Sequence, residues 1–267
     1  MSAPRVLIDG WVVAQRNLIK IKRVPEILVF VLISPIMFVV LFAYVFGGAI
    51  DAGPGLNYRE FLIAGIFAQT VVFGATFTGA SLAEDMQKGF IDRFRSLPMS
   101  RSAVLVGRTG SDIVYNVISL VVMALTGLLV GWRARGSFFD SVSAFLLLIV
   151  FAYAISWVMA YIGLIVPSVD VINNASFMVI MPLTFVSNAF VPLETFPSAL
   201  QTFAEWNPVS TVTQAVRELF GNVPDGFVAP DAWSLQHPVV YTLIWVGIIV
   251  IVFVPLSVRQ YVRASAK

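Results

Sequence analysis

Six uncharged stretches, at residues 27–46, 61–82, 113–131, 141–166, 171–191 and 239–258, run through this 267-residue chain. Each comes close to or exceeds the ~20 residues an α-helix needs to cross ~30 Å of hydrocarbon. Closed barrels are the other way to span a bilayer, but their alternating strands of about ten residues look nothing like these runs. The chain therefore reads as an all-α polytopic membrane protein with six transmembrane helices.

Composition narrows the function classes. Charged residues are 12% of the chain and hydrophobic residues 58%, against roughly 25% charged in soluble domains. The mean hydropathy of +0.88 exceeds what a soluble core could hide, so lipid must solvate much of the surface. There is no cysteine, which excludes disulfides, thiol catalysis and iron–sulfur sites. His237 is the single histidine, and neither HExxH nor CxxC occurs, so a zinc site is not expected. Of the 17 lysines and arginines, all but Arg59, Arg133, Arg135 and Arg217 fall on one side of the six runs. The positive-inside rule then puts both termini in the cytoplasm. No basic cluster sits on a soluble module, which argues against nucleic-acid binding. The first run begins only at Ile27 and is longer than a cleavable signal core, so a retained N-terminus is expected.

Between the runs the pattern is informative. Across residues 1–25, Leu7, Trp11, Ala14, Leu18 and Ile21 share one helical face, and Asp9, Arg16, Lys20 and Arg23 lie opposite. This predicts an amphipathic interfacial helix, or else a basic flank that happens to be helical. Ser34-Pro35 should kink the first run. In the second, Gly65, Gln69, Phe73, Thr76 and Ala80 form a stripe suited to a helix neighbour or a wet cavity. The segment 84–101, EDMQKGFIDRFRSLPMSR, is the most charged. Its apolar edge of Phe90, Phe94 and Leu97, beside Asp92, Arg93 and Arg95, suits docking on a soluble partner better than plain solvation.

Arg108 and Asp112 are spaced to neutralise each other near the membrane boundary. Gly127 and Gly131 permit a close helix contact. In the fifth run Asn173, Ser176, Thr184 and Ser187 form a polar stripe that lines a path or packs a dimer, with Pro182 as a kink. Residues 192–236 are half apolar, rich in Trp and Phe and broken by prolines. Such pieces, too short to span, read as re-entrant or interfacial helices on the outer face before the last run. Residues 259–267 form a basic tail.

No GxxxxGK[ST] motif, no pair of intramembrane carboxylates and no nucleophile–base set is visible. The chain reads as a translocation body with no engine of its own, and not as an enzyme. Three segments carry a resemblance: GFIDRFRSLPMSR at 89–101, FVSNAFVPLETFPSALQTFAEWNPVS at 185–210 and TQAVREL at 213–219. They resemble the permease subunit of ABC-2 type exporters, most of all the daunorubicin-resistance DrrB branch, and the likeness extends over the whole chain.

That resemblance implies one ABC-2 type transmembrane domain over residues 26–258, paired with a second permease copy and with two copies of a separate ATPase subunit. ATP and Mg would sit on that partner, with no cofactor in this chain. It implies that 84–101 is a cytoplasmic coupling helix, with Glu84, Asp85, Gly89, Phe90, Asp92, Arg93, Phe94, Arg95, Leu97 and Pro98 meeting the ATPase. Trp11, Arg16, Lys20 and Arg23 would contact the ATPase or lipid headgroups. The first, second and fifth spans would flank the path, so that Gln69, Phe73, Thr76, Asn173, Ser176, Thr184 and Ser187 line it or its dimer seam. Residues 194–206 and 207–220 would form an extracellular re-entrant hairpin that closes the exit. The expected place is the inner membrane of a prokaryote, and the expected cargo an amphipathic drug or lipid-like molecule. A secondary transporter or channel working without ATP is the competing reading, and a membrane enzyme of lipid metabolism a third that lacks a recognisable catalytic group.

Overall fold

The computed structural model describes residues 9–15, 19, 25–46, 58–89, 103–166, 168–224 and 230–264, and among them there is helix but no strand. A helical segment at 9–15 precedes α1 (Pro25–Leu41), which continues into a π-helical turn at Phe42–Phe46. Then come α2 (Tyr58–Gln87), α3 (Ala103–Leu129), α4 (Phe138–Ile165) and α5 (Val169–Phe185). Three short helices, α6 (Ser198–Glu205), α7 (Pro208–Leu219) and α8 (Trp233–Gln236), lead to α9 (Pro238–Ala264).

Four of these, α2, α3, α4 and α9, are long and apolar enough to cross a membrane. The first and fifth expected spans fall on shorter apolar helices, Pro35–Val45 and Val169–Phe185. Pro35 lies inside α1 and Pro182 inside α5, each removing a backbone donor. Beyond Phe185 the chain leaves helical geometry, and residues 187–190 are buried. Irregular backbone at such a place is tolerated because protein covers it: Asn207 Nδ2 donates to Leu183 O (2.7 Å) and Val186 O (2.8 Å).

Helix α2 is the axis of the bundle. It packs against α3, α4, α5 and α7, and almost every residue from Tyr58 to Val72 is buried. Glycines let other backbones reach it. A Cβ on Gly65 would lie 1.9 Å from Ala189 O, and one on Gly163 of α4 would lie 2.5 Å from Gly79 O. Without a hydrophobic force between helices in lipid, such close contacts supply the attraction.

Residues 84–87 extend α2 by a turn, because Glu84, Met86 and Gln87 are good helix formers and Lys88 pairs with Glu84 at i, i+4 (2.5 Å). At 9–15 the face toward α3 is formed by Gly10, Val13 and Ala14, whereas Trp11 is 59% exposed. The reason is a crossing: a Cβ on Gly107 would meet Gly10 O at 2.4 Å, so backbone contact sets the rotation of the segment. Arg16, Lys20 and Arg23 lie outside the described residues.

The end of the molecule away from the termini is closed by a hydrogen-bonded clamp. In α7 every residue from Val209 to Arg217 is buried, among α2, α4 and α9. Arg217 Nη2 donates to Phe61 O (3.0 Å) and Asn188 O (3.0 Å), and Nη1 to Gln214 Oε1 (3.3 Å), with the guanidinium 3.7 Å from the Phe61 ring centre. Burial pushes this guanidinium down to about 9, against the Glu218 and Glu194 carboxylates, so it keeps its charge at neutral pH. Beside it, Arg135 Nη2 and Nε hold Glu60 Oε1 (2.8 and 3.1 Å), and the Arg135 and Gly136 amides donate to Phe220 O (2.7 and 2.8 Å). Gly221, at φ +66°, makes the tight turn that this pairing needs.

Two outcomes follow for purified protein in detergent. Gly65→Ala should lower the melting temperature, consistent with an overpacking cost of about 1–3 kcal/mol, while Gly110→Ala, with open space around its Cβ, should not. Arg217→Met, which removes every donor that Arg217 gives to the clamp, should cost about 2 kcal/mol or more through unpaired carbonyls. An unchanged melting curve would show that the clamp does not hold α7.

Candidate translocation cavity

Between α1, α2, α3 and α5 lies a cavity of about 480 Å³. Helix α1 gives it Pro35 and Phe38, α2 contributes Gln69, Phe73, Thr76, Phe77 and Glu84, α3 adds Tyr115 and Ser119, and α5 adds Asn173, Phe177 and Met181. The size is that of a drug-sized ligand site, and the mix of apolar walls with a few polar groups is typical of one. Aromatic rings build the walls in pairs: Phe73 and Phe177 meet edge to face at 6.3 Å between α2 and α5, and Phe77 stacks on Tyr115 at 5.7 Å between α2 and α3.

Of the residues expected on the path, Gln69, Phe73, Thr76 and Asn173 line this cavity. Ser176, Thr184 and Ser187 do not. They are buried away from it, with Thr184 Oγ1 donating to Ile180 O (2.8 Å) and Ser187 Oγ to Thr184 O (2.5 Å). Asn173 and Ser176 are about 60° apart on the helix, enough for one stripe to straddle two faces. The face carrying Ile172, Ser176, Ile180 and Thr184 is covered, and Asn173, Asn174, Phe177 and Met178 are exposed.

The expected coupling residues divide as well. Glu84 and Asp85 stand on the last turn of α2, with Glu84 at the rim of the cavity, and Gly89 follows at φ +65°. The other seven, Phe90, Asp92, Arg93, Phe94, Arg95, Leu97 and Pro98, lie outside the described residues.

Sequence reasoning missed the contribution of α3. Arg108, Asp112, Tyr115, Asn116 and Ser119 form a polar ridge, each buried, along the side of α3 that meets α2. The expected pair is there, with Arg108 Nε 3.7 Å from Asp112 Oδ1, and Thr78 Oγ1 donates to Asp112 Oδ2 at 2.5 Å. Arg108 also lies over the Phe77 ring at 5.4 Å, so a buried ion pair stands directly behind the cavity wall. A pair so placed costs desolvation and fixes geometry more than it stabilises. The 4, 3, 4 spacing of Arg108, Asp112, Tyr115 and Ser119 was the available signal. Among the described residues no cluster of His, Asp and Glu could hold a metal ion.

Comparison with known proteins follows this geometry. Residues 9–220 match the family model described as ABC-2 type transporter. The daunorubicin resistance ABC transporter permease protein DrrB1 of Streptomyces coeruleorubidus is 36% identical over 94% of this chain and 85% of its own length. A probable doxorubicin resistance ABC transporter permease protein, DrrC of Mycobacterium tuberculosis, is 26% identical over 88% of this chain and 81% of its own length. The putative transport permease ycf38 of Cyanophora paradoxa is 26% identical over 79% of this chain and 74% of its own length. An all-helical bundle wound around α2, with long apolar helices and an interior cavity, agrees with these matches: the chain belongs to the ABC-2 type transporter family and is a membrane-spanning permease.

Proposed function

We propose that this permease carries an amphipathic drug or lipid-like molecule outward from the cytoplasm or the inner leaflet, driven by a separate ATPase subunit. The single observation that carries this reading is the cavity of about 480 Å³ inside a chain of this family. Resistance to daunorubicin and doxorubicin, in the names of two relatives, supports an amphipathic cargo. ATP and Mg belong on the partner, which acts in two copies. Closure of that ATPase pair rocks two permeases about a central seam, and the cavity opens alternately to each side.

Several features support the parts of this reading. On α5, Asn173 and Asn174 stand exposed beside Phe177 and Met178. Amides suit a protein partner or a wet path better than lipid, which favours a second permease copy at this face. The domain proper is 26–258, with 1–25 lying in the membrane interface and 259–267 in the cytoplasm. Segment 84–101 transmits closure through Asp92, Arg93 and Arg95, and the 192–236 hairpin closes the exit. The sided distribution of lysine and arginine favours cytoplasmic termini in a prokaryotic inner membrane.

The test is ATP hydrolysis and export by the chain reconstituted in liposomes with its ATPase, across a panel of drugs and lipids. One chemical class should stimulate hydrolysis. Reversing the charge of Arg93 and Arg95 together should abolish stimulation and export while leaving the protein in the membrane. Full export by that variant would remove 84–101 from the coupling path. Export that survives ATP depletion under a maintained ion gradient would overturn the ATP-driven reading.

A further inference from the structure

Helix α9 turns most of its surface outward: only 17% of its most apolar stretch is buried. Tyr241, Trp245, Ile248 and Val252 recur at 4, 3 and 4 residues and share one face, with Ile244 and Ile251 beside them. The four aliphatic side chains are 44–74% exposed. Arg259 stands on the same face, ~27 Å beyond Tyr241 at 1.5 Å per residue. That is close to the ~30 Å of the hydrocarbon layer. The face is therefore bounded by aromatic rings at one interface and by Arg259 at the other, as a lipid-facing helix should be.

The aromatic end is built from three helices rather than one. The rings of Trp206, at the end of α6, of Trp233 in α8 and of Trp245 in α9 stand 5.8, 6.1 and 6.4 Å from that of Tyr241. Tyr241 Oη donates to Trp206 O (3.1 Å), and Ser234 Oγ donates to Glu205 O. These bonds tie α6 and α8 to the start of α9 and fix the cluster. Trp206 is 47% and Trp233 43% exposed. The indole N–H groups of Trp206, Trp233 and Trp245 have no partner among the described residues, whereas Trp132 Nε1 donates to Asn222 Oδ1 (2.7 Å).

Charge decides what meets this cluster. Residues 192–241 carry five carboxylates, Glu194, Glu205, Glu218, Asp225 and Asp231, against His237 and one arginine, Arg217, which is buried in the clamp. Glu205 directly precedes Trp206, and Asp231, which is exposed, stands two residues before Trp233. The other arginines at this end, Arg59, Arg133 and Arg135, are bonded around the end of α3 and Phe220. Phe220 follows the far end of α7, whose 12 residues span ~18 Å from the Trp206 side. A headgroup carrying only a phosphate would meet carboxylates without a counter-charge. One that also carries an ammonium satisfies both sets of groups. Its ammonium meets the carboxylates and the aromatic rings, and its phosphate and ester oxygens meet the indole N–H donors.

We infer that Trp206, Trp233, Tyr241 and Trp245, with Glu205 and Asp231, form a docking surface for an ammonium-bearing zwitterionic phospholipid in the leaflet away from the termini. Its acyl chains lie along the aliphatic face of α9 below the rings. The surface is separate from the cavity and holds whatever the cargo is.

The test uses the full-length permease in nanodiscs of equal parts phosphatidylethanolamine and phosphatidylglycerol with matched acyl chains. Lipid that stays on the protein after brief detergent exchange is counted by mass spectrometry. Glu205→Gln combined with Asp231→Asn should lower the ratio of retained phosphatidylethanolamine to phosphatidylglycerol about threefold, as the loss of two exposed ion pairs allows. Asp231→Lys alone, at an exposed position, should lower it in the same direction. Trp233→Phe combined with Trp245→Phe keeps a ring at each place and removes two N–H donors. It should reduce retention of both lipids about twofold and leave their ratio as it was. An unchanged ratio in the carboxylate variants would overturn the surface, and so would unaltered retention in the tryptophan variant. A changed number of permease copies per particle, with retained lipid unaltered, would give the surface to a second copy and overturn the lipid assignment.

Discussion

Backbone contact around α2 is the constraint from which the rest of this structure follows. A helix in lipid gains little by hiding apolar side chains from an apolar solvent, so association rests on close packing and hydrogen bonds. Here the packing is closest at Gly65, against Ala189, and at Gly79, against Gly163. The first contact holds the irregular chain after α5, and the second holds α4. With both in place α2 is enclosed along most of its length, and its side chains divide by direction. Toward α4 and α7 they form a dense aromatic core in which Phe67, Trp132, Phe145 and Phe220 meet at 5.1–5.8 Å. Toward α1, α3 and α5 they leave the cavity.

The two regions treat polar groups in opposite ways. At the clamp, Arg217, Asn207, Asn222 and Glu60 are bonded to partners drawn from distant parts of the chain. Removing any one of them leaves buried backbone or side-chain groups without their partner. Around the cavity the partners are local: Arg108 pairs with Asp112 one turn on, and Thr78 Oγ1 donates to Asp112 from the adjoining helix. The clamp fixes how α7 sits against α2.

Much of this was legible in the sequence. The uncharged runs gave the class, and the four longest helices stand where they were expected. The 89–101, 185–210 and 213–219 segments carried the family. Gln69, Phe73, Thr76 and Asn173, picked from stripes, share one cavity. The stripe on α5 was only partly right, because side chains about 60° apart can face different neighbours. Tyr115 and Ser119 were passed over, since a hydroxyl in an apolar run carries no sign of whether its own helix will satisfy it. Thr184 bonds its own helix, whereas Tyr115 and Ser119 line the cavity.

By itself, then, the sequence determined the solvent of this protein, its helical class and the family to which it belongs. These depend on composition and on short-range order, which the chain states directly. Tertiary structure decided that α7 lies buried rather than on the surface, that Arg217 reaches Phe61 and Asn188, that Trp11 faces outward and that α3 closes the cavity. Each depends on how far a helix is rotated about its axis. That rotation is fixed by contacts between residues far apart in the chain, at glycines where backbones touch, and no local periodicity records it.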